Sequence, residues 1–303
     1  MNIDTITVIG AGIMGRGIAQ VSAAIAGFQT RLYDISSDAL ARAVAEIDRN
    51  LQKGLELEKI TPEQRRRGRK LLTTWTDFDS AVAGADFVIE AVPEDIRLKT
   101  EVFERCDRVA PPGAVLASNT SSLAISEMAV ALKDPSRLIG MHFFNPVHLM
   151  RLVELALTSA TSKNASATAE AVARRMGKET VKVRESPGFV TTRLNALIGN
   201  EAFWMLHDGV ASPEDIDKAV KLGLNHPMGP FELVDLVGLD TRLSILRFLH
   251  ERLGQKYQPC PLLEQYVKEG RLGRKVGRGV YEYKDKKDIK DSKDTKGQTA
   301  NAR

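Results

Sequence analysis

The N-terminal segment contains a strand–helix–strand pattern that requires a parallel pair of strands. The β-branched run Thr5–Ile9 leads into the glycine-rich turn Gly10-Ala11-Gly12-Ile13-Met14-Gly15, and small and apolar residues follow at helical spacing as far as residue 27. A second strand-like run, Gln29–Tyr33, ends at Asp34. A unit of about 30 residues built in this order forms two parallel strands joined by a right-handed helical crossover.

The alternation of strands and helices continues to residue 183. Helical spacing of apolar residues predicts helices over residues 38–57, 62–72, 96–109 and 165–176. Short apolar runs predict further strands over residues 87–89, 114–117, 137–141, 152–157 and 180–183. This order predicts an open, doubly wound α/β sheet of the Rossmann type, with a helical excursion after its second strand.

The pattern changes at Ser186-Pro187-Gly188. Beyond it the spacing predicts helices only, over residues 190–208, 213–221, 229–237, 240–253 and 261–268. Because 303 residues exceed the usual size of one core, we expect an α/β domain over 1–186 and an all-α domain over 187–283. Residues 284–303 contain almost no apolar residue, so we expect a disordered charged tail there.

The charge and the cysteines exclude several classes of protein. The formal net charge is +4, and residues 284–303 carry six lysines and one arginine against four aspartates, so the rest of the chain is nearly neutral. We therefore expect no nucleic-acid partner. Cys106 and Cys260 match no CxxC or metal pattern and are expected to be buried free thiols. Without a signal peptide or the ~20 apolar residues of a membrane helix, the chain is expected to be a soluble cytoplasmic protein with no membrane partner.

The glycine-rich turn has the spacing of a dinucleotide-binding site. Gly10 permits a tight turn, Gly12 lets the backbone approach a pyrophosphate, and Gly15 lets the helix pack close to the strand. The free N–H groups at the helix N-terminus favour phosphates. Asp34 ends the second strand, where an acidic residue binds the adenosine ribose and repels a 2′-phosphate. The sequence therefore predicts NAD as the cofactor, in preference to NADP.

Polar side chains after two predicted strands mark a second candidate site. The segments Ala117–Ser122 and Met141–Pro146 each lie just past a predicted strand of the sheet, where open α/β sheets bind ligands. Glu154 is a charge inside the apolar run Leu152–Leu157, so it needs a buried partner, and His142 can supply one. A carboxylate on one imidazole nitrogen makes the other nitrogen a better base. Taken singly, His142 could be a core histidine and Glu154 an outward strand residue.

Further motifs run in order through about residues 4–284: VIEAVPED, ASNTSSL, GMHFFNPVHLMRLVE, SPGFVTTRL, HPMGPFEL and LGRKVGRGVYEY. Together with GAGIMG, they make the chain similar to the L-3-hydroxyacyl-CoA dehydrogenases, and most nearly to the bacterial 3-hydroxybutyryl-CoA dehydrogenases. The resemblance implies an oxidoreductase that interconverts an (S)-3-hydroxyacyl-CoA thioester and its 3-ketoacyl-CoA with NAD. It also implies a homodimer formed through the helical domain.

The resemblance implies roles for individual residues. His142 would take the proton of the 3-hydroxyl while hydride passes to the nicotinamide, and Glu154 would orient His142. Ser121 would hydrogen-bond the C3 oxygen of the substrate and help to place the nicotinamide, and Asn145 would lie beside the nicotinamide and His142. The other residues expected to contact the cofactor are Ile13, Met14, Ala91, Glu94, Lys99, Asn119 and Lys275. From the sequence alone, Lys99 and Lys275 would instead be solvated surface lysines.

The resemblance also implies contacts with the thioester. Lys53 matches a lysine that relatives use at the nucleotide end of coenzyme A, although Leu57 stands where relatives often carry another lysine. The basic run over residues 65–70 either contributes to binding the nucleotide end of coenzyme A or forms a solvated helix face. Thr192 stands where the family commonly has an asparagine that contacts the substrate and supports His142. We expect the Thr192 hydroxyl to act as the donor in its place.

Two other functions are compatible with this architecture. The substrate of a free 3-hydroxy-acid dehydrogenase carries a carboxylate. Such an enzyme would need an arginine near the acyl end instead of a binding surface for the nucleotide of coenzyme A. A non-catalytic NAD-binding protein of the same fold would have no use for the set of Ser121, His142, Asn145 and Glu154. The presence of all four residues favours an enzyme.

Overall fold

The computed structural model describes residues 3–283, so the predicted charged tail at 284–303 lies outside the described residues. The described chain divides into two units, residues 3–189 and residues 190–283. The first unit extends past residue 186, the predicted end of the first domain, because Phe189 is buried in a core of that unit.

The first unit is built on an eight-stranded sheet. Its strands are β1 (Thr5–Ile9), β2 (Gln29–Tyr33), β3 (Leu72–Trp75), β4 (Phe87–Glu90), β5 (Val115–Ser118), β6 (Leu138–Phe143), β7 (Leu152–Leu157) and β8 (Glu179–Arg184). They lie in the order β3-β2-β1-β4-β5-β6-β7-β8, and only the pair β6–β7 in this sheet is antiparallel. The strand order reverses between β1 and β4, and such a switch point opens a crevice at the carboxyl ends of the strands.

Helices connect the strands. They are α1 (Ile13–Val21), α2 (Ser37–Glu56), α3 (Pro62–Leu71), α4 (Phe78–Val82), α5 (Ile96–Val109), α6 (Ile125–Ala129) and α7 (Lys163–Arg175). A π-helical turn, Ser22–Ala26, extends α1. The excursion after β2 consists of α2 and α3, and each begins at a hydroxyl N-cap, Ser36 and Thr61 respectively. The predicted doubly wound sheet with a helical excursion is confirmed.

Both faces of the central strands are buried. Phe87 and Ile89 of β4 pack into one apolar cluster, whereas Val88 between them packs into the other. Strands covered on both faces have continuous apolar runs, which is why the sequence identified β4 and β5. Strand β3 and helices α4 and α6 were not predicted from the sequence. Strand β3 lies at the sheet edge and exposes Thr73 and Thr74, so it has no apolar run to mark it.

The second unit is helical, and the predicted all-α region is confirmed. Its helices are α8 (Thr191–His207), α9 (Pro213–Gly223), α10 (Pro230–Val237), α11 (Leu239–Leu253) and α12 (Pro261–Lys268). Phe203 and Phe231 meet edge to face in its core, with centroids 5.2 Å apart. The buried carboxylate of Asp235 accepts hydrogen bonds from the N–H groups of Val280 and Tyr281 and so fastens the final described segment.

Two sequence expectations about the whole chain can be compared with the described residues. Cys106 and Cys260 are buried free thiols, as expected. Burial raises the pKa of the Cys106 thiol to about 12, so this thiol stays protonated at neutral pH. Among the helices within residues 3–283, none combines the length and hydrophobicity that a bilayer-spanning segment requires.

Candidate active site

The glycine-rich turn lies between β1 and α1 and is closely packed on one side only. Gly10 has a φ of +100°, and its N–H donates to the Tyr33 carbonyl at 2.8 Å. A Cβ at Gly10 would lie 2.7 Å from the Ala91 carbonyl oxygen, and one at Gly15 would lie 1.7 Å from the Gly10 carbonyl oxygen. Within residues 3–283, a Cβ at Gly12 would meet no atom within 4 Å. The backbone at Gly12 therefore faces open space.

The start of α1 fits the phosphates of a dinucleotide. Its N-cap, Gly12, makes no side-chain cap, so the first N–H groups of the helix are available to an anion. Ile13, at this end of the helix, is 58% exposed. Asp34 at the end of β2 accepts hydrogen bonds from the N–H groups of Ala11 at 2.8 Å and Ser36 at 2.9 Å. An uncapped helix N-terminus with an acidic side chain beside it suits the adenosine half of NAD.

Two glycine substitutions should separate folding from cofactor binding. Gly15→Ala forces a methyl group against the Gly10 carbonyl, so we expect a loss of about 1–3 kcal/mol in the free energy of unfolding, measured in urea. The methyl group of Gly12→Ala would lie in open space, so we expect the free energy of unfolding to change by less than about 0.5 kcal/mol. Fluorescence titration should nevertheless show NADH binding about tenfold weaker in Gly12→Ala. Wild-type NADH affinity in Gly12→Ala would contradict a phosphate site at this turn.

Glu94 fixes the loop that follows β5. Its Oε1 accepts hydrogen bonds from Thr120 Oγ1 at 2.5 Å, the Ser121 N–H at 3.1 Å and Ser122 Oγ at 3.1 Å. Burial by itself raises the pKa of Glu94, but the charge of Lys99 and these hydrogen bonds outweigh burial and hold the pKa below its ordinary value. An ionised Glu94 therefore orders this loop, with Ser121 Oγ 3.4 Å from the same carboxylate oxygen.

Lys99 is buried, so the expectation of a solvated surface lysine is wrong for this residue. The side chain is 1% exposed, and Nζ donates to Glu90 Oε1 at 2.7 Å and to the Val92 carbonyl at 3.2 Å. Glu94 Oε2 lies 3.4 Å from the same Nζ. Glu90 also accepts a hydrogen bond from Ser118 Oγ at 2.6 Å. Burial raises the pKa of Glu90, and the charge of Lys99 opposes that rise.

Glu90 is a site residue that the sequence analysis missed. It is the last residue of β4, and a charge directly after a run of buried apolar residues was the signal that could have found it. Its backbone carbonyl accepts the Asn119 N–H at 2.8 Å. The side chain of Asn119 accepts the Phe143 N–H at 3.0 Å. These bonds join the ends of β4, β5 and β6 at one edge of the sheet.

His142 and Glu154 face each other across the antiparallel pair of β6 and β7. The two residues are direct partners in the register, and His142 Nδ1 lies 2.8 Å from Glu154 Oε2. Glu154 is fully buried, whereas His142 is 7% exposed. The rings of Phe144 and Phe189 flank the imidazole, with centroids 4.4 Å and 5.8 Å away. Because Nδ1 faces the carboxylate, Nε2 is the nitrogen that can accept a proton from a ligand.

The remaining predicted residues are distributed over both units. Asn145 is exposed in the loop after β6, and Lys53 is exposed in the last turn of α2. Thr192 and Lys275 belong to the second unit: Thr192 is half-buried in the first turn of α8, and Lys275 Nζ lies 2.6 Å from both carboxylate oxygens of Asp240. The contacts expected of these four residues with cofactor or substrate stay predictions.

Comparison with known proteins covers nearly the whole described chain. Residues 5–186 match the family model described as 3-hydroxyacyl-CoA dehydrogenase, NAD binding domain, and residues 188–283 match the C-terminal domain of that family. A probable 3-hydroxybutyryl-CoA dehydrogenase of Bacillus subtilis is 47% identical over 287 residues, which are 94% of this chain and 99% of the relative. The crystal structure of (S)-3-hydroxybutyryl-CoA dehydrogenase from Ralstonia eutropha superposes with a TM-score of 0.90 at 40% identity, covering 94% of this chain and 100% of that one. This chain is therefore a member of the 3-hydroxyacyl-CoA dehydrogenase family, with an NAD-binding first unit.

Proposed function

We propose that the protein interconverts (S)-3-hydroxybutyryl-CoA and acetoacetyl-CoA with NAD, and that His142 is the proton acceptor. The observation that carries this proposal is the His142–Glu154 pair at 2.8 Å in the NAD-binding unit. The names of the relatives from Bacillus subtilis and Ralstonia eutropha support the choice of substrate.

The buried pair suits general-base catalysis. With its Nδ1–H donating to Glu154, the imidazole of His142 keeps a lone pair on Nε2 for the proton of the 3-hydroxyl. The imidazolium that forms lies beside a fully buried anion, which stabilises it without reorganisation. The rings of Phe144 and Phe189 provide apolar neighbours for the imidazole. Bound NAD⁺ supplies the acceptor for the hydride that leaves C3 of the substrate.

Ser121 is proposed to hold the C3 oxygen of the substrate. Glu94 orders the loop around Ser121 through bonds to three consecutive residues, so the serine hydroxyl is positioned before the substrate binds. A positioned donor of this kind lowers the cost of aligning the reacting alcohol. Asn145 is proposed to lie beside the nicotinamide, in the loop that leaves β6.

The choice of NAD over NADP rests on Asp34. Its carboxylate is held at the end of β2 by the N–H groups of Ala11 and Ser36, where a 2′-phosphate would meet a negative charge. Arg31, the nearby cation on β2, instead donates to the Ala83 carbonyl at 2.6 Å. The side chain that would have to pair with a 2′-phosphate therefore has another partner.

Lys53 is proposed to contact the nucleotide end of coenzyme A from the last turn of α2. The basic run at residues 65–70 contributes less to this path than its charge suggests. Arg67 donates to the carbonyls of Ala24 and Ile25 at 2.8 Å and 2.7 Å, and so it holds α3 against the π-helical turn. Arg69 lies 3.2 Å from the carboxylate of Asp48.

A homodimer formed through the second unit is part of the proposal, and a cytoplasmic location stays a prediction. Large apolar side chains that are exposed on the second unit support the dimer, because a second copy could cover them. They lie on α8 and at the end of α9, and they are Leu194, Ile198, Leu222 and Leu224.

The substrate class is tested by comparing acetoacetyl-CoA with free acetoacetate as oxidants of NADH. We expect kcat/KM to be at least about tenfold higher for the thioester, because binding of the nucleotide contributes to stabilising the transition state. Equal or better turnover of the free acid would favour the alternative of a 3-hydroxy-acid dehydrogenase. Absence of turnover with both compounds, alongside tight NADH binding, would favour the non-catalytic alternative.

A further inference from the structure

Lys178 is a buried lysine that donates to backbone carbonyls. It lies between Gly177, at the end of α7, and the start of β8, and it is 6% exposed. Its Nζ donates to the Met150 carbonyl at 2.8 Å and also to the Val147 carbonyl. Burial lowers the pKa of Lys178 to about 8. An ammonium group is costly to bury, so its retention here calls for a reason.

The two carbonyls belong to one turn, residues 146–150, in the loop between β6 and β7. The N–H groups of Leu149 and Met150 both donate to the Pro146 carbonyl at 3.0 Å, which closes the turn. The turn follows directly after Phe144 and Asn145 in the chain. The ring of Phe144 packs on the imidazole of His142. The position of turn 146–150 therefore sets the position of Asn145.

The side chain of Val147, in the same turn, packs against α1. Val147 is buried, and a Cβ at Gly17 of α1 would lie 2.9 Å from the Cβ of Val147. Such an approach leaves no room for the turn to move toward α1. The hydrogen bonds of Lys178 restrain two carbonyls of the same turn. Turn 146–150 is thus restrained both by α1 and by one buried ammonium group.

We propose that Lys178 is a positioning residue for hydride transfer, which fixes turn 146–150 and through it the side chain of Asn145. The inference rests on the proposed function, in which Asn145 lies beside the nicotinamide. Lys178 acts through the loop and makes no contact of its own with substrate or cofactor. Loss of its two hydrogen bonds frees the turn, so Asn145 no longer holds one position.

The first measurement compares Lys178→Met with a matched control, Lys182→Met, on the strand β8 that follows Lys178. Methionine keeps an unbranched apolar side chain as far as Cε and removes the ammonium donors, so we expect kcat for acetoacetyl-CoA to fall roughly tenfold to a hundredfold. KM for the thioester should change by less than about threefold, because the loss affects the aligned state rather than binding. Lys182→Met removes an exposed lysine that pairs with Glu170 at 2.7 Å and should leave kcat within about twofold of wild type.

The second measurement combines Lys178→Met with Asn145→Ala. If Lys178 acts through Asn145, the double variant will have nearly the kcat of Asn145→Ala, because coupled residues are not additive. Additive losses, or wild-type kcat in Lys178→Met, would overturn the inference and leave the proposed function intact. Wild-type kcat in Asn145→Ala would overturn both the role proposed for Asn145 and this inference. Should Lys178→Met fail to fold, Lys178→Gln, which keeps N–H donors of shorter reach, takes its place in the same cycle.

Discussion

Turnover of acetoacetyl-CoA is expected to fall by about 10²–10⁴-fold when His142 is replaced by glutamine, the usual contribution of a general acid or base. In this direction of the reaction the imidazolium returns its proton to the C3 oxygen. Glutamine is close to histidine in size, and its amide can still donate to Glu154, so the buried carboxylate keeps a partner. The amide has no nitrogen that takes up or releases a proton at neutral pH, and the proton-transfer step therefore loses its catalyst.

The measurement is steady-state oxidation of NADH, with NADH affinity determined separately by fluorescence titration. We expect NADH affinity to stay within about twofold of wild type, because the adenosine half is expected to bind at Gly12 and Asp34 rather than at the imidazole. His207→Gln is the matched control, since His207 is an exposed histidine bonded to Asp208 at the end of α8. A His142→Gln enzyme with more than about a tenth of wild-type turnover would remove His142 from the mechanism.

The pairing of His142 with Glu154 was accessible from the sequence because a charge inside an apolar strand must find a partner. The geometry of the pair was not accessible in the same way. Apolar periodicity identified β6 and β7 as strands, but it does not encode whether neighbouring strands run parallel or antiparallel. The antiparallel register places the two residues directly opposite each other, and only the fold shows this.

The burial of two lysines, Lys99 and Lys178, could not be predicted from the sequence. Lys99 lies on α5, a helix with charged residues on several sides, so nothing in the pattern separated it from Arg97 or Glu101. Its burial depends on how closely α5 approaches Glu90 at the end of β4, which is a long-range property. Lys178 follows a helix-ending glycine, where a lysine is ordinarily exposed, and it is buried by a loop that precedes it in the chain by about thirty residues.

The second large effect is expected for Glu154→Gln, with kcat lower by about 10²–10⁴-fold and little change in NADH affinity. The substitution conserves size and removes the negative charge. An amide opposite Nδ1 can donate to it, and an imidazole that accepts a bond at Nδ1 carries its own proton on Nε2. That proton blocks the nitrogen that faces the substrate, and an imidazolium at this position also loses the buried anion that stabilises it.

Glu154 is expected to act only through His142, and three further variants test this. Glu179→Gln is the matched control, because Glu179 is an exposed glutamate at the start of β8 that pairs with Arg151, and its kcat should stay within about twofold of wild type. Glu154→Asp keeps the negative charge but places it one methylene farther from His142. The decrease in kcat should therefore be smaller for Glu154→Asp than for Glu154→Gln. The double variant His142→Gln/Glu154→Gln should be no slower than His142→Gln alone, because the carboxylate has no imidazole left to orient. Full activity in Glu154→Gln, or a double variant far slower than His142→Gln, would mean that the buried carboxylate serves the fold and not the base.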